Sequence, residues 1–249
     1  MTKIVSEPKK LMDLVRRALV NGQLEAAIFS FSPSGLSTKA TKAGTFGGYT
    51  TYHSPFFKEY VCEQPVEIKL TKNFLANLES LRFGSEDQIS VEIDLPNNRL
   101  NILAGKREYH PVLSNPDVQL LSFPFSERPG IGMLPTDTTK PIHFQAKVVA
   151  DVLGTPKVDK VSYHTVGIEL TLELDKDGPY KQTITPSSVL IPRKVTGPDE
   201  KTTYTFFVEH MTDILACFVG EVIITMYERV IFITQPDKDQ SLMFFTATT

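Results

Sequence analysis

The chain has 249 residues, of which 41 % are hydrophobic and 22 % charged, and its net charge is −3. These proportions indicate a folded globular protein and exclude both a disordered chain and a generally basic nucleic-acid binder. No apolar run approaches the ~18 residues of a membrane span, and the N-terminus lacks the apolar core of a signal peptide. We expect one large or two ordinary domains in a reducing compartment, the cytoplasm or a eukaryotic nucleus, with Cys62 and Cys217 as buried thiols.

The first predicted helix covers residues 9–21, led by Pro8 and ended near Asn21 and Gly22. At 100° per residue its apolar face comprises Leu11, Met12, Val15, Ala18 and Leu19. Its charged face comprises Lys9, Lys10, Asp13, Arg16 and Arg17, and only Leu14 departs from this division. Residues 1–22 carry five Lys/Arg and two acidic residues, a net +3, so the remainder carries −6. A local basic face on an acidic protein favours a confined contact with a polyanion.

Strands and one more helix are predicted in the rest of the first half. The strands are 26–32, 49–53, 66–70, 89–93, 100–103 and 106–113, with turns at Pro33-Ser34-Gly35 and Pro96-Asn97-Asn98. Thr71 is a predicted N-cap for the second helix. The apolar face of that helix comprises Phe74, Leu75, Leu78 and Leu81.

The second half repeats the plan of helix, strands, helix and strands. One helix is predicted over 145–154 and another carries Val208, Met211, Leu215 and Phe218 on one face. The strands are 161–163, 168–174, 180–185, 204–208, 221–226, 229–234 and 241–247, with a hairpin turn at 175–178. Two copies of one α+β unit are the simplest account. The predicted division is an N-terminal domain over 1–117, a connector over 118–142 and a C-terminal domain over 143–249.

The connector is rich in proline but also apolar, which a pure linker is not. Its apolar side chains either pin the crossover to the sheets beneath or form part of a docking groove. Both interpretations stay open at the level of sequence.

The sequence declares no catalytic, metal or cofactor motif. The five histidines lack metal-ligand spacing, and the glycine-rich stretch at 44–48 has no following Gly-Lys-Ser/Thr. A calcium loop beginning at Asp175 fails because its twelfth position is Pro186. We therefore predict no catalytic residues, no metal and no cofactor, although a dispersed active site remains an alternative.

The basic helix face has two interpretations of its own. Charged faces on surface helices are commonly just solvated. The other helical regions also carry cations, however, and positive faces that meet phosphate would bind duplex DNA without reading bases. The cations predicted to contact DNA are Lys9, Lys10, Arg16, Arg17, Lys72, Lys147, Lys157 and Lys160.

Several stretches resemble the proliferating cell nuclear antigen type of DNA sliding clamp and, more loosely, the clamps of tailed phages. The stretches are 11–19 as the first inner helix, 34–36 entering the second strand, 68–75 leading into the second helix, 87–93 and 241–247. The resemblance covers essentially the whole chain, in order and spacing rather than in a rigid signature. It implies an α+β fold of two similar clamp domains, with helices on one face of antiparallel sheets, that assembles as a ring of three subunits around duplex DNA.

The resemblance also implies how the ring closes and what docks on it. Edge strands would pair head to tail between subunits through Arg107, Tyr109, Pro111 and Leu113 of one subunit and Tyr180, Gln182 and Ile184 of the next. A client peptide would enter a pocket formed by Thr41, Gly44, Thr45, Phe46, Ile131, Met133, Leu134, Phe245, Thr246 and Ala247. The usual Ala-Pro near the C-terminus is Ala247-Thr248 here, so the client peptide can differ from the common one.

The function that the resemblance implies is a non-enzymatic processivity factor in DNA replication and repair. Its expected partners are duplex DNA of any sequence, a replicative DNA polymerase, a clamp loader and other clamp-binding proteins. No contact with a membrane is expected. A homotrimer is expected first. The alternatives are one subunit of a heterotrimeric clamp and, from a different class, a two-domain α+β enzyme with a dispersed site.

Overall fold

The computed structural model describes residues 1–42, 46–80, 88–113, 142–145, 160–166, 169–175, 179–184, 188–189, 202–219, 221–226 and 230–247. The chain forms two compact units. The first comprises Met1–Lys42, Gly47–Ser122 and Pro236–Leu242, and the second comprises the remaining residues. No helix within the described ranges is long and apolar enough to cross a membrane. The predicted domain limit at 117 and the connector up to 141 lie outside the described residues.

Among its described residues, the first unit has antiparallel strands and two helices. In chain order they are β1 (Thr2–Ser6), α1 (Pro8–Ala18), β2 (Ala26–Ser32), β3 (Gly35–Lys42), β4 (Phe46–His53, whose first residue belongs to the second unit), a 3-10 turn (Ser54–Phe56), β5 (Glu59–Cys62), β6 (Val66–Thr71), α2 (Lys72–Ser80), β7 (Ile89–Asp94), β8 (Arg99–Ala104) and β9 (Arg107–Tyr109). One sheet has the order β5-β1-β7-β8-β9, and β4-β3-β2-β6 are consecutive in another. The helices pack on this second set, α1 on β3 and α2 on β6, and they contact each other.

Helix α1 buries one face, as predicted, but with a different membership. Leu14 is 1 % exposed, whereas Met12 is only half-buried. The buried set Leu11, Leu14, Val15 and Ala18 has the spacing i, i+3, i+4, i+7. Leu14 therefore belongs to the centre of the apolar stripe, and the prediction that it departs from the stripe was wrong.

The C-terminal end of α1 comes earlier than predicted. The helix stops at Ala18 because Val20 and Asn21 have φ of 46° and 56°, in the left-handed region. The N–H of Asn21 donates to the carbonyl of Arg16 at 2.8 Å, and the N–H of Leu24 to that of Leu19 at 3.0 Å. These bonds satisfy the last carbonyls of the helix and reverse the chain into β2.

Helix α2 confirms the predicted second helix. Phe74, Leu75 and Leu78 are buried, while Leu81 lies outside the described residues. The predicted turn at 96–98 is also confirmed. Asp94 accepts hydrogen bonds from the side chain and backbone N–H of Asn97, and these bonds, with Arg99 nearby, lower the pKa of the Asp94 carboxyl.

Strand β9 is shorter than the predicted strand over 106–113. It covers only Arg107–Tyr109, although Val112 makes one isolated antiparallel bridge to Arg99. Pro111 has no N–H to donate, so it interrupts a continuous ladder, while its carbonyl accepts from the N–H of Leu100 at 3.0 Å. The strand lies at the edge of its sheet among the described residues, as the proline predicts.

The second unit also consists mostly of antiparallel strands. Its elements are β10 (Ile142–Gln145), β11 (Lys160–Val166), β12 (Glu169–Asp175), β13 (Pro179–Ile184), β14 (Ser188–Val189), β15 (Thr202–Phe207), α3 (Val208–Leu215), β16 (Glu221–Met226), β17 (Val230–Pro236) and β18 (Gln240–Ala247), whose first three residues belong to the first unit. The orders are β14-β10-β16-β17-β18 and β13-β12-β11-β15. The predicted helix over 145–154 lies outside the described residues except for Gln145, which ends β10. Cys62 and Cys217 are buried and not disulfide-bonded, as predicted.

Candidate nucleic-acid interface

The charged face of α1 is turned away from the core of the first unit. Lys9 and Lys10 are exposed, and Arg16 and Arg17 are half-buried. All four lie outside the buried stripe. Successive residues of a helix are rotated by about 100°, which places the four cations on one side of α1 and the buried residues on the other. The face is therefore a solvent-facing strip of cations at the helix surface, as predicted, but its members have different neighbours.

Arg16 is bound by carboxylates. Its Nε and Nη2 both lie 2.9 Å from Oε1 of Glu79 in α2, and its Nη1 lies 3.6 Å from Oδ1 of Asp13. The contact with Glu79 joins the exposed sides of α1 and α2. The positive charge of Arg16 is thus largely compensated where it stands.

Lys72, at the start of α2, has a similar arrangement. Its Nζ forms an ion pair with the carboxylate of Glu25, the residue before β2. Its backbone N–H also donates to the carbonyl of Glu25 at 3.0 Å. The ammonium group and the backbone N–H of Lys72 therefore both contact Glu25, and the charge of Lys72 is compensated like that of Arg16.

Lys10 and Arg17 have neutral neighbours instead. Nζ of Lys10 lies 5.6 Å from the ring centroid of Phe56 in the 3-10 turn, a distance at which the ring face attracts a cation. Nη1 of Arg17 donates to Oε1 of Gln240 at 3.0 Å. Neither neighbour carries a charge, so both cations keep their full charge in fixed positions.

Lys9 differs from both groups. It is exposed, and within the described residues it makes no ion pair or hydrogen bond. Lys9, Lys10 and Arg17 together are the uncompensated cations of the described α1 surface. Such groups suit point contacts with phosphate oxygens and carry no base-reading geometry.

Phe56 belongs to a series of aromatic rings beside this face. Its centroid is 4.8 Å from that of Tyr52 and 5.2 Å from that of Phe57, which lies 5.3 Å from Tyr60. The Tyr60 hydroxyl donates to the carbonyls of Ser32 and Gly35, at 2.7 and 2.6 Å in turn. Burial raises the pKa of Tyr60 well above its usual range, and the nearby Cys62 thiol adds to the rise. The rings give Lys10 a rigid support.

The remaining predicted DNA contacts cannot be placed in the same way. Lys147 and Lys157 lie outside the described residues. Lys160 is the first residue of β11, opposite Phe207 of β15. It therefore lies on a strand, and its part in binding DNA stays a prediction.

The predicted peptide pocket is described only in part. Thr41 is 9 % exposed in the first unit, and in the second unit Phe46, Phe245 and Thr246 are all 2 % exposed or less. Phe46 stacks on His210 at 4.2 Å between centroids, and Phe245 lies 6.3 Å from Phe232. Ala247 ends β18, while Gly44, Thr45, Ile131, Met133 and Leu134 lie outside the described residues. Thr41, Phe46, Phe245 and Thr246 are buried in the single chain, and the role of the predicted pocket residues in binding a peptide stays a prediction.

The two predicted pairing strands both lie at sheet edges among the described residues. One is β9 and the other is β13. On β9, Arg107 is exposed, and Tyr109 accepts a 2.8 Å hydrogen bond from Nδ2 of Asn77. Leu113 is buried and its N–H donates to Asn98 at 2.9 Å. In the register of β13 on β12, the predicted residues Tyr180, Gln182 and Ile184 pair with Leu174, Leu172 and Leu170.

A groove of about 220 Å³ lies between α2, β6 and the segment after β9. It is lined by Lys69, Leu70, Thr71, Asn73, Phe74, Asn77, Leu100, Tyr109, Pro111, Val112 and Leu113. Val112 at its rim is 77 % exposed. The groove thus adjoins β9, the last strand of its sheet among the described residues. No three His, Cys, Asp or Glu side chains of the described residues come together as a metal site.

Sequence reasoning missed the neighbours that distinguish the cations. The residues Glu79, Glu25, Phe56 and Gln240 are not among those that the sequence assigned to the interface. Each is distant in sequence from its cation, as Glu79 is from Arg16 by 63 positions. Nothing in a single sequence links such positions.

Comparisons with known proteins identify the fold. No family model matches the sequence, and no curated protein matches it. Three solved structures match with TM-scores of 0.79, 0.79 and 0.78 and identities of 15 %, 18 % and 11 %. They are PCNA of A. fulgidus bound to the C-terminal region of FEN-1, PCNA of Thermococcus kodakaraensis and Proliferating Cellular Nuclear Antigen of Entamoeba histolytica. Each alignment covers 100 % of this chain and 98 %, 100 % and 98 % of those chains.

The match defines the architectural class first. The chain has an α+β clamp fold, built from antiparallel sheets with few helices, as the sequence predicts. Within that class it has the fold of PCNA over its whole length.

Proposed function

We propose that this protein is a sliding clamp, a non-enzymatic processivity factor that encircles duplex DNA and tethers enzymes to it. The single observation that carries the proposal is the exposed cationic strip of α1 in a chain whose entire length has the PCNA fold. Uncompensated cations without base-reading side chains bind phosphate irrespective of sequence, which suits a protein that moves along DNA.

Ring closure would use two edge strands. Head-to-tail contacts between unlike surfaces generate a closed ring when the rotation between subunits closes. Strands β9 and β13 each end the order of their sheet among the described residues, and edge strands of two different sheets offer such unlike surfaces. The proposed assembly is a homotrimer in which β9 of one subunit pairs with β13 of the next.

The second part of the proposal is that client proteins dock in the predicted peptide pocket. The A. fulgidus PCNA structure holds the C-terminal region of FEN-1, which supports clamp-binding proteins as partners of this chain. A replicative polymerase and a clamp loader are proposed on the same grounds. The buried Phe46 and Phe245 would then support the floor of the pocket, because they are fixed by their ring contacts with His210 and Phe232.

The oligomeric state tests the proposed ring, and a matched pair of variants tests the proposed subunit contact at β9. Val112 and Val219 are each 77 % exposed in the single chain, so a glutamate is tolerated by the fold at either place. Sedimentation equilibrium should show a trimer for the native chain and for Val219→Glu, and a shift toward monomer for Val112→Glu. A native monomer at all concentrations contradicts the ring, and equal dissociation of both variants contradicts the β9 edge.

A further inference from the structure

Five of the cations proposed to face DNA have described side chains, and they fall into two chemically different groups. Arg16 and Lys72 each form an ion pair with a carboxylate, Glu79 and Glu25 respectively. Lys9, Lys10 and Arg17 have no carboxylate partner among the described residues. The division follows neither residue type nor helix, since α1 holds members of both groups.

A carboxylate-paired cation contributes little to binding a polyanion. If Arg16 turned from Glu79 to a phosphate, one ion pair would replace another and the Glu79 carboxylate would be left beside the phosphate backbone. The repulsion between the two anions would offset the new contact. Counterion release from DNA requires net neutralisation of phosphate, which the Arg16–Glu79 pair as a whole does not supply.

The cations with neutral neighbours behave in the opposite way. Phe56 and Gln240 hold Lys10 and Arg17 without removing charge. Moving toward phosphate costs each of these cations only one weak contact with a neutral group. Lys9 has no partner in the described part of the chain, so it breaks no described contact when it moves toward phosphate.

We infer that Glu79 and Glu25 are affinity-setting residues that mask Arg16 and Lys72 from DNA. Contact with phosphate in the described part of the surface then falls to Lys9, Lys10 and Arg17. This inference rests on the proposed clamp function and adds a regulation of the same surface. Masking keeps the phosphate contacts few, so the protein is held by its closed shape and moves freely along the duplex.

The test is the salt dependence of binding to a short duplex of arbitrary sequence, measured by fluorescence anisotropy with the full chain. Glu79→Gln frees Arg16 without altering side-chain size. We expect tighter binding and a slope of log K against log salt that steepens by about 0.9 for each additional phosphate that the protein neutralises. The double variant Arg16→Gln/Glu79→Gln removes the ion pair as a unit and should leave the slope of the native protein unchanged, whereas Arg17→Gln should make the slope shallower.

The matched control is Glu92→Gln, which changes net charge equally on the exposed face of the β5-β1-β7-β8-β9 sheet. Glu25→Gln is the second unmasking variant and should act through Lys72 as Glu79→Gln acts through Arg16. The inference is overturned if both unmasking variants match Glu92→Gln in slope, or if the double variant Arg16→Gln/Glu79→Gln weakens binding as much as Arg17→Gln. A native protein that does not bind the duplex instead contradicts the proposed function itself.

Discussion

Asn77 of α2 donates a 2.8 Å hydrogen bond from Nδ2 to the phenolic oxygen of Tyr109 in β9. The bond fixes the edge strand to the helix whose other end carries Lys72. It also spans the groove that opens beside β9. A helix proposed to face DNA and a strand proposed to face the next subunit are thereby coupled through two side chains.

Removal of the Tyr109 hydroxyl should loosen the edge strand more than it destabilises the chain. Tyr109→Phe deletes a partly exposed bond, so we expect a loss of about 0.5 kcal/mol in the free energy of unfolding. The trimer should dissociate at a higher protein concentration than the native trimer does. Sedimentation equilibrium measures that change, and Tyr49→Phe, which alters a half-buried tyrosine of β4, is the control. Equal trimer stability in both variants would separate Tyr109 from the subunit contact.

Arg17 should matter to DNA binding more than another arginine of similar surroundings. Arg17 is half-buried with Gln240 as its hydrogen-bond partner, and Arg99 is half-buried with Asp94 as its partner. Arg17→Gln should weaken duplex binding by roughly the loss of one phosphate contact, which makes the salt slope shallower by about 0.9. Arg99→Gln should leave binding close to native. A titration in which the two variants bind alike would remove Arg17 from the DNA-binding surface.

Gly35 should be the less replaceable of two glycines with positive φ. Its φ is 148°, and a Cβ there would collide with the backbone of Tyr52, whereas Gly22 has φ of 83° and open space around it. Gly22→Ala should cost about 1 kcal/mol of backbone strain, and Gly35→Ala more than about 2 kcal/mol because a steric clash is added. Urea unfolding measures both. Equal losses would mean that the β3–β4 contact relaxes without cost.

Tyr60 predicts a specific loss of stability in alkali. Its pKa is raised in the folded chain because burial disfavours the phenolate. Above the unfolded value of about 10 the unfolded chain releases this proton first, so the free energy of unfolding falls as pH rises further. The contribution is complete below pH about 10. Tyr60→Phe should lower the free energy of unfolding at neutral pH, because its hydrogen bonds are lost. Above pH about 10 the free energy of unfolding of this variant should fall less steeply than that of the native chain, as urea titrations at several pH values would show.

Regular patterns made much of the fold predictable from sequence. Strands β2 and β16 have the predicted bounds, because their apolar runs are bounded by clear turn or helix signals. Strands β1, β5 and β10 were not predicted, since each has only four or five residues and gains its stability from neighbouring strands. Strand β3 (Gly35–Lys42) was foreseen only through the resemblance. After Leu36 it contains no large apolar residue, so the sequence shows no alternation of apolar and polar residues there.

The chemistry of the surface was less predictable than its location. The cationic strip of α1 follows from helical periodicity, which a single sequence contains. Which cations are compensated follows from contacts such as Arg16 with Glu79 and Lys72 with Glu25, and these depend on how distant elements pack. The end of α1 depended on left-handed φ at Val20, a conformation that a β-branched residue rarely adopts.

Retention on DNA of different topology tests the central claim most directly. The protein is loaded onto a nicked circular duplex, separated from free protein by gel filtration at high salt, and the circle is then cut once with a restriction enzyme. A sliding clamp held by its closed shape should stay on the circle and be lost from the free ends after cutting. Equal retention on circular and cut DNA, or no retention on either, would contradict the account.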